Sequence, residues 1–133
     1  MSLPTPQVFN SREIFVNEIV LHDRTDAYLF GFVQQNGNYC ETQFVIGRKL
    51  LHKLLMLNGK NGEQIVHYLK QAELHPHAVP ISADLVELFG TTIPLQAEAI
   101  QLQIPFMKNA DGELEPVQNS ELLFVDAIAV SKK

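Results

Sequence analysis

The chain has 133 residues, 46% of them apolar, with eight Phe, three Tyr and no Trp. That length and composition suit one domain with a proper core and exclude a disordered chain. Net charge is −5, which opposes binding to a phosphate backbone, and the single cysteine, Cys40, excludes an intrachain disulfide.

Residues 1–12 read as an irregular N-terminal arm, and residues 13–133 as a single domain. Met1-Ser2-Leu3-Pro4-Thr5-Pro6 lacks the basic region and apolar run of a signal peptide, and no stretch approaches the ~18 apolar residues of a membrane span. A cytoplasmic protein with no membrane partner is therefore expected. Glu13 to Leu21, rich in Ile, Val and Phe, reads as a strand, and His22-Asp23-Arg24-Thr25-Asp26 as a polar turn.

The best local signal is Asn36-Gly37, flanked by Ala27–Gln35 and Asn38–Ile46. A two-residue type I′ turn needs positive φ at both positions, which suits Asn-Gly. The register then sets Gln35 opposite Asn38, Val33 opposite Cys40 and Leu29 opposite Phe44. One face carries Leu29, Val33, Cys40, Phe44 and Ile46, and reads as core. The other carries Tyr28, Phe30, Phe32 and Tyr39 beside Glu41 and Gln43, and reads as only partly covered.

Gly47 ends that strand. Leu50, Leu51, Leu54, Leu55 and Leu57 recur at helical spacing until Asn58-Gly59. A second helix is expected from about Asn61 to Gln71, burying Ile65, Tyr68 and Leu69. Ser82 suits the N-cap of a short third helix holding Leu85, Val86 and Phe89, closed by Gly90. From Leu95 the apolar residues sit first at odd positions and then, from Ile100, at even ones. A strand changes phase only with an extra residue, so a β-bulge is expected near Ala99-Ile100. Asn109 to Gly112 reads as a turn, and Leu122 to Val130, apolar on both faces, as a central strand covered on both sides. The predicted fold is an α+β two-layer sandwich. Its mostly antiparallel sheet has about five strands, with two to three helices inserted between N-terminal and C-terminal strands.

Candidate chemistry is sparse. Cys40, mid-strand opposite Val33, reads as a buried core residue rather than a nucleophile. Glu73, His75 and His77 share a face if extended, with His67 nearby, but a lone His-x-His is a weak metal signal, and no metal or cofactor is expected. His22, Asp23 and Asp26 could orient a general base, though nothing supplies a nucleophile. Asp126 shares a strand face with Leu122, Phe124, Ile128 and Val130, where a carboxylate is costly unless paired. Gly47-Arg48-Lys49 opens a helix directly after a strand, so Arg48 and Lys49 are candidates for an anionic ligand, with Asp126 as a further polar contact. No phosphate-loop, metalloprotease, nucleophile-elbow or dinucleotide pattern occurs, and the reading leans away from an enzyme.

Charge is segregated. Thr42–Ala72 holds five basic residues and one acid, a net of +4, and Glu73–Ser131 holds nine acids and one lysine, a net of −8. Together with the aromatic hairpin face, this points to a non-enzymatic module that self-associates, most simply as a dimer, through Tyr28, Phe30, Phe32 and Tyr39. The alternative is a small-ligand or anion-binding protein or enzyme with a pocket between sheet and helices. Nucleic acid is not an expected partner.

Overall fold

The computed structural model describes residues 7–22, 25–35, 37–74, 80–104, 106–108, 110–116 and 122–129. Strand β1 (Gln7–Leu21) comes first, so residues 7–12 belong to the sheet rather than to an irregular arm. It is followed by β2 (Asp26–Gln35), β3 (Asn38–Gly47), α1 (Arg48–Met56), α2 (Gly59–Glu73), β4 (Ile81–Asp84) and α3 (Leu85–Phe89). Then come β5 (Ile93–Ile104), the short pair β6 (Phe106–Lys108) and β7 (Leu114–Pro116), and β8 (Leu122–Ala129).

The architecture is α+β with a mixed sheet, as the sequence implies for the class. Among the described residues six strands pair in the order β2-β3-β8-β5-β1-β4, and β1 also pairs with β2. That extra pairing closes β1, β2, β3, β8 and β5 into a ring, so the sheet does not lie as an open layer under the helices. The pairings are antiparallel except for β3 with β8, which is parallel.

Closure depends on how β1 bends. Its centre, Ile14–Val16, pairs with β2 on one side and β5 on the other. Asn17 is an extra residue in the β2 ladder, between Val16↔Gly31 and Glu18↔Phe30, and beyond it β4 takes over the side that β5 held. A second irregularity falls where Ser11 and Glu13 face Ile100 and Gln96, which is where the phase change in β5 places a bulge. Such bulges bend and twist a strand enough for one segment to serve several partners.

The Asn36-Gly37 hairpin has the register its turn chemistry dictates, with Gln35↔Asn38, Val33↔Cys40 and Leu29↔Phe44. Gly37 takes φ 83°, and Asn36 lies outside the described residues. Inside the ring, Ile14, Val16, Ile19, Leu29, Val33, Phe44, Leu95, Ile100, Leu102 and Leu123 are fully buried. Helix α1 closes one end of the ring, touching β2, β3, β5 and β8 through Leu51, Leu54 and Leu55. Helix α2 packs on α1 and β4 with Ile65 and Leu69 buried. At Gly62 a Cβ would lie 1.7 Å from the carbonyl oxygen of Leu55, so the two helices meet backbone to backbone.

Several expectations change. Cys40 is half-buried, not core. It lies near the turn, whereas β8 joins β3 only from Gln43 onward among the described residues, so this stretch of β3 lacks a neighbour on that side. Tyr68 is exposed on the outer side of α2. The N-cap of α3 is Asp84, whose carboxylate accepts from the Glu87 N–H at 3.1 Å. Ser82 instead belongs to β4, which pairs with β1. β8 is central in the strand order but has an outer face, where Phe124 is exposed. The Asp126 anomaly dissolves in the register. Gln101 faces Ala127 and Leu102 faces Val125, so Asp126 is the extra residue of a bulge, and burial switches from Leu123 and Val125 before it to Ile128 after it. It therefore shares no continuous face with Phe124 and Ile128. Its side chain and Val130 lie outside the described residues.

Candidate functional site

Two features stand out on the surface: an aromatic patch on the outer face of β1–β3, and a cleft between the helices. The patch follows from strand alternation. With Leu29 and Val33 turned inward, Tyr28, Phe30 and Phe32 must turn outward, as the hairpin register requires. Three cross-strand rows result. Phe15 faces Phe32, which faces Glu41; Glu18 faces Phe30, which faces Gln43; Val20 faces Tyr28, which faces Val45, which faces Phe124.

Phe15 is the member the hairpin alone does not reveal. Its ring stacks on Phe32 with centroids 4.7 Å apart and planes 14° apart. Tyr39 stands edge-on to both, at 5.4 Å from Phe32 and 5.8 Å from Phe15. The three rings and Glu41 line an open depression of about 450 Å³. Stacked and edge-to-face geometries of this kind add about 0.5–1.5 kcal/mol per pair beyond area burial. The backbone allows the close stack because Gly31, beside Phe32, has no side chain. A Cβ there would lie 1.8 Å from the Phe15 carbonyl oxygen. Phe15 was legible only as the residue alternating with buried Ile14 and Val16. Its neighbour Phe32 depended on which edge of the hairpin β1 would join.

Among the described residues the patch stays open. Tyr39 is 63% exposed, and Phe30 and Phe124 are each 38% exposed. The backbones of Val8 and Phe9 pair with Gln103 and Leu102 of β5, so this segment does not cross β2 and β3. Around the rings stand Glu13, Glu18 and Glu41, giving the patch an acidic surround.

The cleft lies between α1, α2 and the end of β1. Leu21, Leu51, Leu55, Val66 and Leu69 form its apolar lining. Arg48, His52, Lys70 and Glu73 supply its polar groups, and its volume is about 190 Å³. Arg48, at the first position of α1, forms an ion pair with Glu73 at the last position of α2. Lys49 is exposed beside it, and Gly47 provides no side-chain cap for the helix. Of the sequence's anion-site candidates, Arg48 lines this cleft and is ion-paired with Glu73, whereas Lys49 is not among the lining residues. Asp126 belongs to β8, and its side chain lies outside the described residues.

The other candidates disperse. His22 is exposed and meets Tyr28 edge-on at 6.2 Å, Asp26 opens β2, and Asp23 lies outside the described residues. His67 is exposed on α2, while His75 and His77 lie outside the described residues. Among the described residues no three His, Cys, Asp or Glu side chains are grouped as metal ligands, and no helix is long and apolar enough to cross a membrane. No family model, curated protein or solved structure matches the chain.

Proposed function

We propose that this protein is a non-enzymatic interaction module that self-associates as a dimer through the outer face of β1–β3. The observation that carries this reading is the outer aromatic face, where half-buried Phe15 and Phe32 pack with exposed Tyr39 and where Phe30 and Phe124 are also exposed, on a ring whose interior is already filled. Contiguous exposed apolar patches on small domains mark interaction sites. Tyr and Phe anchors dominate such interfaces because they carry large area at low side-chain entropy cost.

The occupant we favour is a second copy. The aromatic face is ringed by Glu13, Glu18 and Glu41, whereas α1 and α2 expose Lys49, Lys53, Lys60 and Lys70. A face-to-face pair apposes these acids, so the rings supply the affinity, and association should quicken as added salt screens the rim. The three acids on this face and the net charge of −5 oppose a polyanion.

Sedimentation tests the proposal. At roughly 50 μM the native protein should sediment as a dimer, as an interface of micromolar affinity requires. Tyr39→Glu, at an exposed ring, should yield a monomer with an unchanged circular dichroism spectrum. A wild-type monomer at that concentration would overturn the reading.

A further inference from the structure

We infer that the slot between Phe32 and Glu41 takes the guanidinium of an arginine carried on an extended segment of a partner polypeptide, an occupant other than the second copy proposed above. The slot follows from the order of one cross-strand row. Phe15 of β1, Phe32 of β2 and Glu41 of β3 are consecutive across the sheet. The Phe15 and Phe32 rings stack along that row, and their 4.7 Å separation matches the spacing of neighbouring strands. Phe15 thus covers one face of Phe32, and the other face turns toward Glu41. Tyr39 precedes Glu41 by two residues on the same side of β3 and stands edge-on to Phe32 at 5.4 Å, closing the end toward the hairpin turn. These four side chains line the open depression of about 450 Å³.

Charge and shape choose the occupant. A ring face attracts a cation, and the exposed carboxylate of Glu41 beside it adds a full negative charge. Among the described residues Glu41 has no ion-pair partner. A quaternary ammonium suits the ring but offers Glu41 no N–H, and a lysine ammonium is a strongly hydrated point charge. A guanidinium is flat enough to extend the stack by a third layer, and its fork of N–H donors matches the carboxylate. A second copy apposes acid to Glu41, whereas an arginine satisfies it. The source is a polypeptide because the slot is one-sided and apolar surface continues beyond it. Phe30 is exposed two residues along β2 on the same side, at roughly 6.6 Å of strand rise. An extended partner repeats its side chains at that spacing, so an apolar residue two positions from the arginine falls on Phe30.

The test titrates the full chain with acetyl-Leu-Gly-Arg-Gly-Leu-amide and follows ring and amide chemical shifts. At roughly 50 μM protein the peptide should half-saturate near about 1 mM if the chain is monomeric, and near about 10 mM against a dimer of micromolar affinity. The shifts should centre on Phe32, Tyr39 and Phe30. Citrulline in place of the arginine keeps the shape without the charge and should weaken binding about tenfold or more. Acetyl-arginine methylamide, the guanidinium without its flanking leucines, should bind about fivefold more weakly or worse. Glu41→Gln should weaken the peptide about fivefold, whereas Glu18→Gln, at an acid outside the slot, should change it by less than about twofold. Both replacements are nearly isosteric on the outer face and keep the fold. No shift up to about 30 mM peptide, citrulline binding as well as arginine, equal losses in the two variants, or shifts confined to α1 and α2 would each overturn the inference. Methylamide binding as tightly as the peptide would overturn the polypeptide source. Dimerisation is read by sedimentation without peptide, and Glu41→Gln should leave it intact or tighten it by removing an apposed acid, so the two readings fail separately.

Discussion

The side-chain amide of Asn58 lies across the backbone of Gln96 as a neighbouring strand would. The Gln96 N–H donates to Asn58 Oδ1 at 2.8 Å, and Asn58 Nδ2 donates to the Gln96 carbonyl at 3.1 Å. The same Nδ2 also donates to the Leu54 carbonyl at 2.7 Å. β8 pairs with β5 only at Ala99–Gln103 among the described residues, so Gln96 has a ladder edge there that one amide from the α1–α2 junction serves. The helices are thereby fixed to the ring at the end that α1 covers.

Replacing Asn58 should therefore cost more than a surface substitution. Asn58→Ala removes three hydrogen bonds, two of them in an exposed setting, and should lower stability by about 1.5–3 kcal/mol. Asn58→Asp keeps the acceptor but turns an oxygen toward two carbonyls, and should cost at least as much. Urea denaturation midpoints at constant m-value measure both. A loss within ~0.5 kcal/mol, the ordinary surface range, would contradict this role.

Gly62→Ala should have the opposite sign from its usual effect in a helix. Ala for Gly in a helix interior normally gains about 1 kcal/mol. Here the new Cβ would lie 1.7 Å from the Leu55 carbonyl oxygen, and backbone must move to admit it. A loss of about 2 kcal/mol or more is expected, comparable with overpacking a core. A stabilised variant would show that the helices separate readily.

Asp84 and Ser82 distinguish the cap of α3 from its sequence-level rival. Asp84→Ala removes the carboxylate that accepts from the Glu87 N–H and should cost about 0.5–2 kcal/mol. Ser82→Ala, at an exposed position in β4, should stay within ~0.5 kcal/mol. Thermal unfolding of the two variants side by side is sufficient.

Much of this molecule is legible where chemistry is local. Asn36-Gly37 determines the hairpin register, and with it the outward set Tyr28, Phe30, Phe32 and Tyr39. The phase change before Ile100 foretells the irregularity in β5, and Gly90, at positive φ, closes α3, whereas α1 ends at Met56 with Leu57 as its C-cap and Gly59 already opens α2. What the sequence hides is long-range. That β1 would reach Phe32 with Phe15, or that Glu73 would meet Arg48 across 25 positions, depends on which segments become neighbours. The switch in phase within β8 was present in Leu123, Val125 and Ile128. Without knowing which face was inside, Phe124 and Ile128 looked equivalent, and Asp126 looked buried rather than bulged.

Self-association through the aromatic face is tested most directly by isotope-filtered nuclear Overhauser spectroscopy on a sample mixed from labelled and unlabelled chains. The account predicts intermolecular contacts that involve the rings of Phe30, Phe32 and Tyr39. It predicts their disappearance in Tyr39→Glu, while the intramolecular contact between Phe15 and Phe32 remains. A sample with no intermolecular contacts at roughly 50 μM, well above a micromolar Kd, or with contacts confined to the α1–α2 surface, would contradict it.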